Sequence, residues 1–369
     1  MISAGCNNVS RHTMWYKPHN QVAKNMQLEQ GQKHTLIVFV HGTILPLPSP
    51  SCIFPAIKDV LKKGRREKKG WSDYYYEKLR YNTFFKYQII SNYGLKRIDE
   101  QSEGTCVRYP YTNHLANLYE NSYEFANSKI PTNLHIYSFG WDGRLSHKSR
   151  QRSAKALYAR LIEEIDFLKK SLNLSDDKIE TILIGHSHGG NVLLNLVKAE
   201  EEFKQNLKID KLILIGAPVQ SETADLITNS MFKKVYSFYS NGDYVQVVDI
   251  VSTEDSISKR RFKNNEANSR LTQVELTVDK TKPSHSELWL LGDTYDFIHR
   301  KSLTTYPLPL FIFIPIIINS IEEQASNCHE ILANIRRDKK EQEFVVKIKN
   351  KGTDKLLEQV IVPTERLES

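Results

Sequence analysis

Apolar and polar positions recur along this chain in two different rhythms. Five runs, at residues 36–40, 134–139, 179–184, 212–215 and 235–239, are rich in β-branched or aromatic side chains and of strand length. Those at 36–40, 179–184 and 212–215 are apolar nearly throughout, as strands covered on both faces of a sheet should be. Between the second and third runs, Ala154, Leu157, Tyr158, Leu161, Ile162, Ile165 and Leu168 follow three- and four-residue steps, which predicts a helix over about 149–170 with one apolar stripe. Strand, helix and strand in repetition imply right-handed crossovers. The predicted fold class is α/β: a doubly wound, mainly parallel sheet with helices on both faces.

Two stretches break the rhythm. Residues 62–130 begin with the basic run Lys62-Lys63-Gly64-Arg65-Arg66-Glu67-Lys68-Lys69 and continue through Trp71, Tyr74, Tyr75, Tyr76, Tyr81, Phe84, Phe85, Tyr87 and Tyr93. They read as a cap-like insertion between the first two core strands, with a solvated basic rim. No RNA-binding motif accompanies the aromatics, so no specific nucleic acid is expected as a partner. Beyond residue 298 the alternation stops. The apolar run 307–318, interrupted by Pro315, is either a buried core segment or a lipid-facing surface. A helix is predicted around 321–335, then a hairpin of 344–348 against 356–362 turning at Lys351-Gly352-Thr353-Asp354. The expected organisation is an N-terminal extension at 1–33, a core domain at 34–300 carrying the insertion, and a C-terminal extension at 301–369 packed on that core.

Composition narrows the class without naming a function. With 369 residues, 40% hydrophobic and 25% charged, 16 Gly and 13 Pro, the chain has material for a large core and is neither collagen-like, coiled-coil nor wholly disordered. The run at 307–318 is too short for the ~20 residues of a membrane-spanning helix, and no export signal is read at the amino terminus. The 4 Cys, at 6, 52, 106 and 328, lack CxxC spacing, which fits reduced thiols in a cytoplasm and offers no cysteine zinc site. Export without such a signal, or peripheral attachment to a membrane, stays open. The net charge of +8 permits attraction to an anionic lipid surface, which makes peripheral membrane contact a possible partnership.

The chemistry concentrates at Gly185-His186-Ser187-His188-Gly189, which follows an apolar strand and precedes an apolar helix start. A nucleophilic serine on a strand-to-helix turn needs a very tight bend, and flanking glycines remove the Cβ atoms that would collide there. His186 and His188 also form an HxH pair, but no third metal ligand stands at a suitable spacing. A serine hydroxyl needs a base, and the base needs an acid to orient it, in the order Ser, acid, His. Asp243, in the turn Ser240-Asn241-Gly242-Asp243 after the fifth run, is favoured as acid over Asp249. Only His285, His299 and His329 follow it. His285 is favoured because its polar loop suits a reaching imidazole, whereas His299 lies in an amphipathic stretch and His329 in the predicted surface helix. The oxyanion formed on attack should meet the backbone N–H groups of His188 and of Thr43, the latter in the His41-Gly42-Thr43 loop after the first run.

Together the His41-Gly42 strand end, the Gly185–Gly189 pentapeptide, Gly216-Ala217-Pro218, Asn241-Gly242-Asp243-Tyr244-Val245 and His285 resemble the α/β-hydrolase superfamily, particularly its lipase- and esterase-like members. Phe139-Gly140-Trp141-Asp142-Gly143-Arg144 is similar to bacterial lipase-like hydrolases. The resemblance spans roughly 34–300 and implies a cofactor-free serine hydrolase acting on carboxylic esters, with acyl esters of lipids as the expected substrate class. A thioesterase or acyltransferase on the same residues, or a catalytically silent binding protein of the same fold, are the alternatives.

Overall fold

A computed structural model of the chain describes residues 33–43, 88–98, 110–129, 131–175, 178–247, 258–263, 269–279, 281–289, 309–324, 328–338 and 340–368. Among the described residues, ten strands make one sheet: β1 (Lys33–Val40), β2 (Gly94–Arg97), β3 (Thr132–Gly140), β4 (Ile179–His186), β5 (Ile209–Ile215), β6 (Phe232–Tyr239), β7 (Leu271–Val278), β8 (Glu330–Asp338), β9 (Glu343–Asn350) and β10 (Leu356–Pro363). Their order is β10-β9-β8-β7-β6-β5-β4-β1-β3-β2. Every pairing from β3 across to β8 is parallel, and β2, β9 and β10 add antiparallel margins. The doubly wound, mainly parallel sheet expected from the apolar runs is what the chain forms.

Alternation along the strands sends side chains to two separate cores. On β1, Leu36, Val38 and Val40 point to one face and Ile37 and Phe39 to the other. The first face is covered by α2 (His147–Leu172), whose Ala154, Leu157, Tyr158, Leu161 and Leu168 are buried, and by α3 (His188–Leu194) and α4 (Leu196–Phe203). Asn173, in the left-handed region with φ 50°, ends α2 by turning its N–H back to the Lys169 carbonyl. The second face is covered by α1 (Pro110–Ala126), through Leu115, Leu118, Tyr119 and Tyr123, and by Leu310–Phe313 running into α5 (Ile314–Gln324).

The apolar run is therefore a core segment. Leu310 through Ile318 are all buried against the sheet and α1, so it is not the lipid-facing surface that sequence left open. The C-terminal helix also sits earlier than expected: α5 ends at Gln324, and 330–335, the last part of the predicted helix, belongs to the parallel strand β8. With His329 exposed just ahead of β8 and its Nδ1 3.1 Å from the Leu271 carbonyl, that histidine lies at the edge of the sheet where the parallel strands begin. The hairpin of β9 and β10 forms as predicted, pairing Val346 with Val360. Within 62–130, β2 adds an edge strand to the sheet and α1 packs on it; the basic run at 62–69 and the aromatics from Trp71 to Tyr87 lie outside the described residues.

Two buried histidines give the fold a pH response. Nδ1 of His34 on β1 lies 3.0 Å from Nε2 of His135 on β3, with the rings stacked at 5.3 Å. Burial first, then the charges of Arg97 and His34, push His135 down to about 3 from 6.5, and burial lowers His34 as well. A folded-state value below the unfolded one means that the unfolded chain takes up protons which the native state refuses. Stability from this pair is therefore complete above about pH 6.5 and is lost as pH falls toward 3, by at most about 1.4 kcal/mol per pH unit for each group. The melting temperature should drop between pH 6.5 and 4, and His135→Leu should flatten part of that slope. An unchanged slope in the variant would remove His135 as its cause.

Candidate active site

The chain order of the strands reverses direction at β1: the path goes out to β3 and returns on β1's other side as β4. Loops after β1 and β4 therefore diverge at the carboxyl edge of the sheet and open a crevice between them, where α/β sheets bind ligands. Ser187 stands there. β4 ends at His186 and α3 starts at His188, so Ser187 alone makes the turn, at φ 52° and ψ −131°. A non-glycine residue held in this region carries backbone strain. The Ser187 N–H donates to the Ile215 carbonyl at 2.9 Å, and its own carbonyl accepts from the Gly190 N–H at 2.9 Å, which fixes the turn between β5 and α3. Gly189 makes the approach of α3 to β1 possible: a Cβ there would lie 2.3 Å from the Val40 carbonyl oxygen.

Asp243 and His285 meet, although 42 residues separate them. His285 Nδ1 lies 2.6 Å from Asp243 Oδ2. Because an ionised carboxylate only accepts, Nδ1 carries the proton and Nε2 is left with a free lone pair. Asp243 is fully buried and ordered from several sides: its Oδ1 accepts from the Gln246 N–H at 3.1 Å, and its carbonyl accepts from Arg260 Nε at 2.9 Å. Of the competitors, Asp249 and His299 lie outside the described residues.

The loop after β1 reaches the same place. A Cβ on Gly42 would stand 2.8 Å from Ser187 Cβ, so glycine is what allows this loop to pass the serine. Thr43 follows, half-buried, with its Oγ1 inaccessible to solvent and without a hydrogen-bond partner among the described residues. His41 braces the loop from behind. Its Nε2 accepts from the Trp141 N–H at 3.2 Å, which puts the proton on Nδ1 for the Gly42 carbonyl 2.7 Å away, and Trp141 Nε1 donates to the His41 carbonyl at 2.8 Å. On the expectation from sequence that the Thr43 N–H is an oxyanion donor in an ester hydrolase, Gly42→Val should displace this loop and raise the barrier to ester turnover by on the order of 3 kcal/mol. Thr43→Ala keeps the N–H, so turnover close to the parent would leave the backbone as donor, and a large loss in a folded variant would implicate the buried hydroxyl.

The His186 ring is stacked on Trp289 at 5.1 Å with 4° between planes and lies 4.6 Å from the His285 ring. Burial, then the neighbouring His285, hold His186 well below the usual histidine range, so it is neutral beneath His285. Gly216 belongs to a segment that the sequence singles out, whereas Trp289, Gln246 and Arg260 have no assigned role there. Gly216, at φ 56°, leaves room beside the pair: a Cβ there would come 3.1 Å from Asp243 Oδ2 and 3.3 Å from His285 Nδ1. Trp289, Gln246 and Arg260 carry no local motif that marks them, and the ring stacking of Trp289 on His186 and the bonds of the Gln246 amide to the Ala217 carbonyl and of Arg260 to the Asp243 carbonyl are long-range.

Residues 110–285 match the model of the PGAP1-like alpha/beta domain, a span that contains Ser187, Asp243 and His285 and omits β1 with its Gly42-Thr43 loop. A comparison with curated proteins returned no match. Among solved structures, the chain is similar to an arylesterase at 11% identity, covering 67% of this chain and 59% of that one, with a TM-score of 0.28. It is also similar to a protein described as a candidate cell surface hydrolase from Lactobacillus plantarum WCFS1, at 10% identity over 84% of this chain and 83% of that one, TM-score 0.23. A gene product of Listeria innocua aligns at 10% identity over 82% and 85%, TM-score 0.21. No described helix is long and apolar enough to cross a membrane. Sheet order and flanking helices make the architecture a large, mainly parallel α/β sheet, and over residues 110–285 the chain is similar to the PGAP1-like alpha/beta domain.

Proposed function

We propose that the protein is a serine hydrolase that cleaves carboxylic esters through an acyl-enzyme. The observation that carries this reading is the 2.6 Å contact of His285 Nδ1 with the buried Asp243 carboxylate, at the same sheet edge as a serine held on a strained strand-to-helix turn. Ser187 Oγ attacks the acyl carbonyl while His285 Nε2 takes its proton. Asp243 holds the imidazole in the reactive tautomer and stabilises the imidazolium that forms. The backbone N–H groups of Thr43 and His188 receive the oxyanion, and the neutral His186 adds no competing charge under the base. His285 then protonates the leaving alkoxide, and water, activated by the same nitrogen, releases the acid.

Acyl esters of lipids are the proposed substrate class. With the 310–318 segment buried in the core, the support for this lies at Tyr244 and Val245, apolar side chains 71% and 55% exposed immediately after Asp243. A fluorophosphonate probe should label the wild-type protein at Ser187, and a chain-length series of p-nitrophenyl esters should then show turnover rising with acyl length. Absence of labelling would reject the hydrolase reading; labelling with preference for acetyl esters would reject the lipid class alone.

A further inference from the structure

The hairpin at the end of the chain reaches the acid loop. Lys351, in the turn between β9 and β10, places Nζ 2.5 Å from Glu275 Oε2 and 2.8 Å from the Tyr239 hydroxyl, with the same ammonium 5.3 Å from the Tyr239 ring centre. Glu275 is a buried carboxylate in the middle of β7, and its other oxygen, Oε1, accepts from Asn241 Nδ2. Asn241 is two residues before Asp243, in the turn that leaves β6 at Tyr239. The backbone of this turn is closed by Ser240, whose Oγ accepts from the Gly242 N–H at 3.1 Å and whose carbonyl accepts from the Asp243 N–H at 3.1 Å. The next residue touches the loop of the proposed base: a Cβ on Gly242 would lie 2.2 Å from the Lys282 carbonyl oxygen and 2.9 Å from that of Pro283. One polar chain thus runs from the hairpin to the point where the acid and base loops press together.

We infer that Glu275, held by Lys351, is a positioning residue that sets the Asp243–His285 pair through Asn241. This inference rests on the proposed hydrolase reading. A carboxylate buried in a sheet is costly unless it is paired and hydrogen-bonded. Here Lys351 supplies the charge and Asn241 the second hydrogen bond, so the carboxylate has a fixed orientation to impose on the turn. Removing Lys351 leaves the Glu275 carboxylate without its counter-charge and free to turn away, which releases the Asn241 amide. The turn then relaxes, Asp243 retreats from the imidazole, and His285 loses the charge that favours its protonated form.

The experiment compares Glu275→Ala, Lys351→Met and Lys351→Arg, with kcat and KM on a p-nitrophenyl ester, the acidic limb of the kcat/KM profile, and the His285 titration midpoint followed by NMR. Glu275→Ala and Lys351→Met should lower kcat by roughly ten- to a hundredfold with KM little changed, as a displacement of reacting groups does. The acidic limb and the NMR midpoint should both move down by about 0.5 pH unit, the direction expected when a carboxylate leaves an imidazole. Lys351→Arg should restore both. A lower melting temperature with kcat, acidic limb and midpoint all at wild-type values would overturn the inference and leave the network purely structural. If the wild type neither turns over esters nor reacts with the fluorophosphonate, the hydrolase reading fails, while the NMR midpoint still decides whether Glu275 and Lys351 govern the Asp243–His285 contact.

Discussion

Ser187→Ala and His285→Ala should each reduce ester turnover on the order of ten-thousandfold or more, and the double variant should be no worse than either alone. The reason is that nucleophile and base act as one unit: without Nε2 the hydroxyl stays protonated, and without the hydroxyl the imidazole has nothing to deprotonate. Ser187 sits at the end of a strand and Ser187→Ala removes no hydrogen bond of the turn, which is made by its backbone, so this substitution should lower the melting temperature little, whereas His285→Ala takes a partner from the buried Asp243 carboxylate and should lower it more. Asp243→Asn should be severe as well. An amide can donate to Nδ1, which would place the imidazole proton on Nε2, facing the serine, in the unreactive tautomer. Steady-state kinetics on a short p-nitrophenyl ester measures all four. Near-normal turnover and labelling in Ser187→Ala would displace the nucleophile; independent, additive losses would show that the groups do not work together.

Phe311→Asp should prevent folding, or leave a protein with no cooperative melting transition. Phe311 is fully buried, with its ring 4.9 Å from Trp289, 6.0 Å from Phe39 and 6.2 Å from Tyr119. Removing such a ring costs about 3–5 kcal/mol. Burying a carboxylate without a partner adds several more, so the sum approaches the ~5–15 kcal/mol that stabilises a typical domain. The site would suffer too, because the Phe311 N–H donates to the Leu288 carbonyl at 3.1 Å and Trp289 supports His186, both within four residues of His285. Phe311→Leu, which nearly keeps volume and polarity, should cost under about 1.5 kcal/mol and retain activity. If Phe311→Asp instead melted like the parent and lost only activity on long-chain emulsions, the segment would face lipid and its packing here would be wrong.

Much of the fold was legible because central parallel strands must be apolar on both faces, a demand each strand meets within its own few residues. Runs at 36–40, 179–184 and 212–215 announced β1, β4 and β5 in that way, and the stripe from Ala154 to Leu168 announced α2. β7 was silent. It reads Leu271-Thr272-Gln273-Val274-Glu275-Leu276-Thr277-Val278, and its polar Thr272, Gln273 and Glu275 are nevertheless buried. Gln273 finds the Phe262 backbone and Glu330, and Glu275 finds Asn241 and Lys351; these partners lie far along the chain, so no local pattern declares the strand. The first part of β8 reads as the end of a helix because Ile331, Leu332 and Ile335 fit a three- and four-residue spacing as well as they fit alternation.

The candidate site divides along the same line. Sequence by itself determined the tight serine turn, since a serine between strand and helix with glycines two positions away on either side satisfies a steric condition that is local. It also ordered the acid and base along the chain and bounded them to a few residues. Only the tertiary structure decided that Asp243 and His285 touch, that Gly42 passes 2.8 Å from Ser187 at its would-be Cβ, and that the apolar segment at 310–318 is core. An apolar run looks the same whether protein or lipid covers it, and a loop residue's partner is set by where distant strands end. Burial and contact are properties of the assembled sheet, which is why the residues that chemistry requires could be shortlisted from the chain and joined only in the fold.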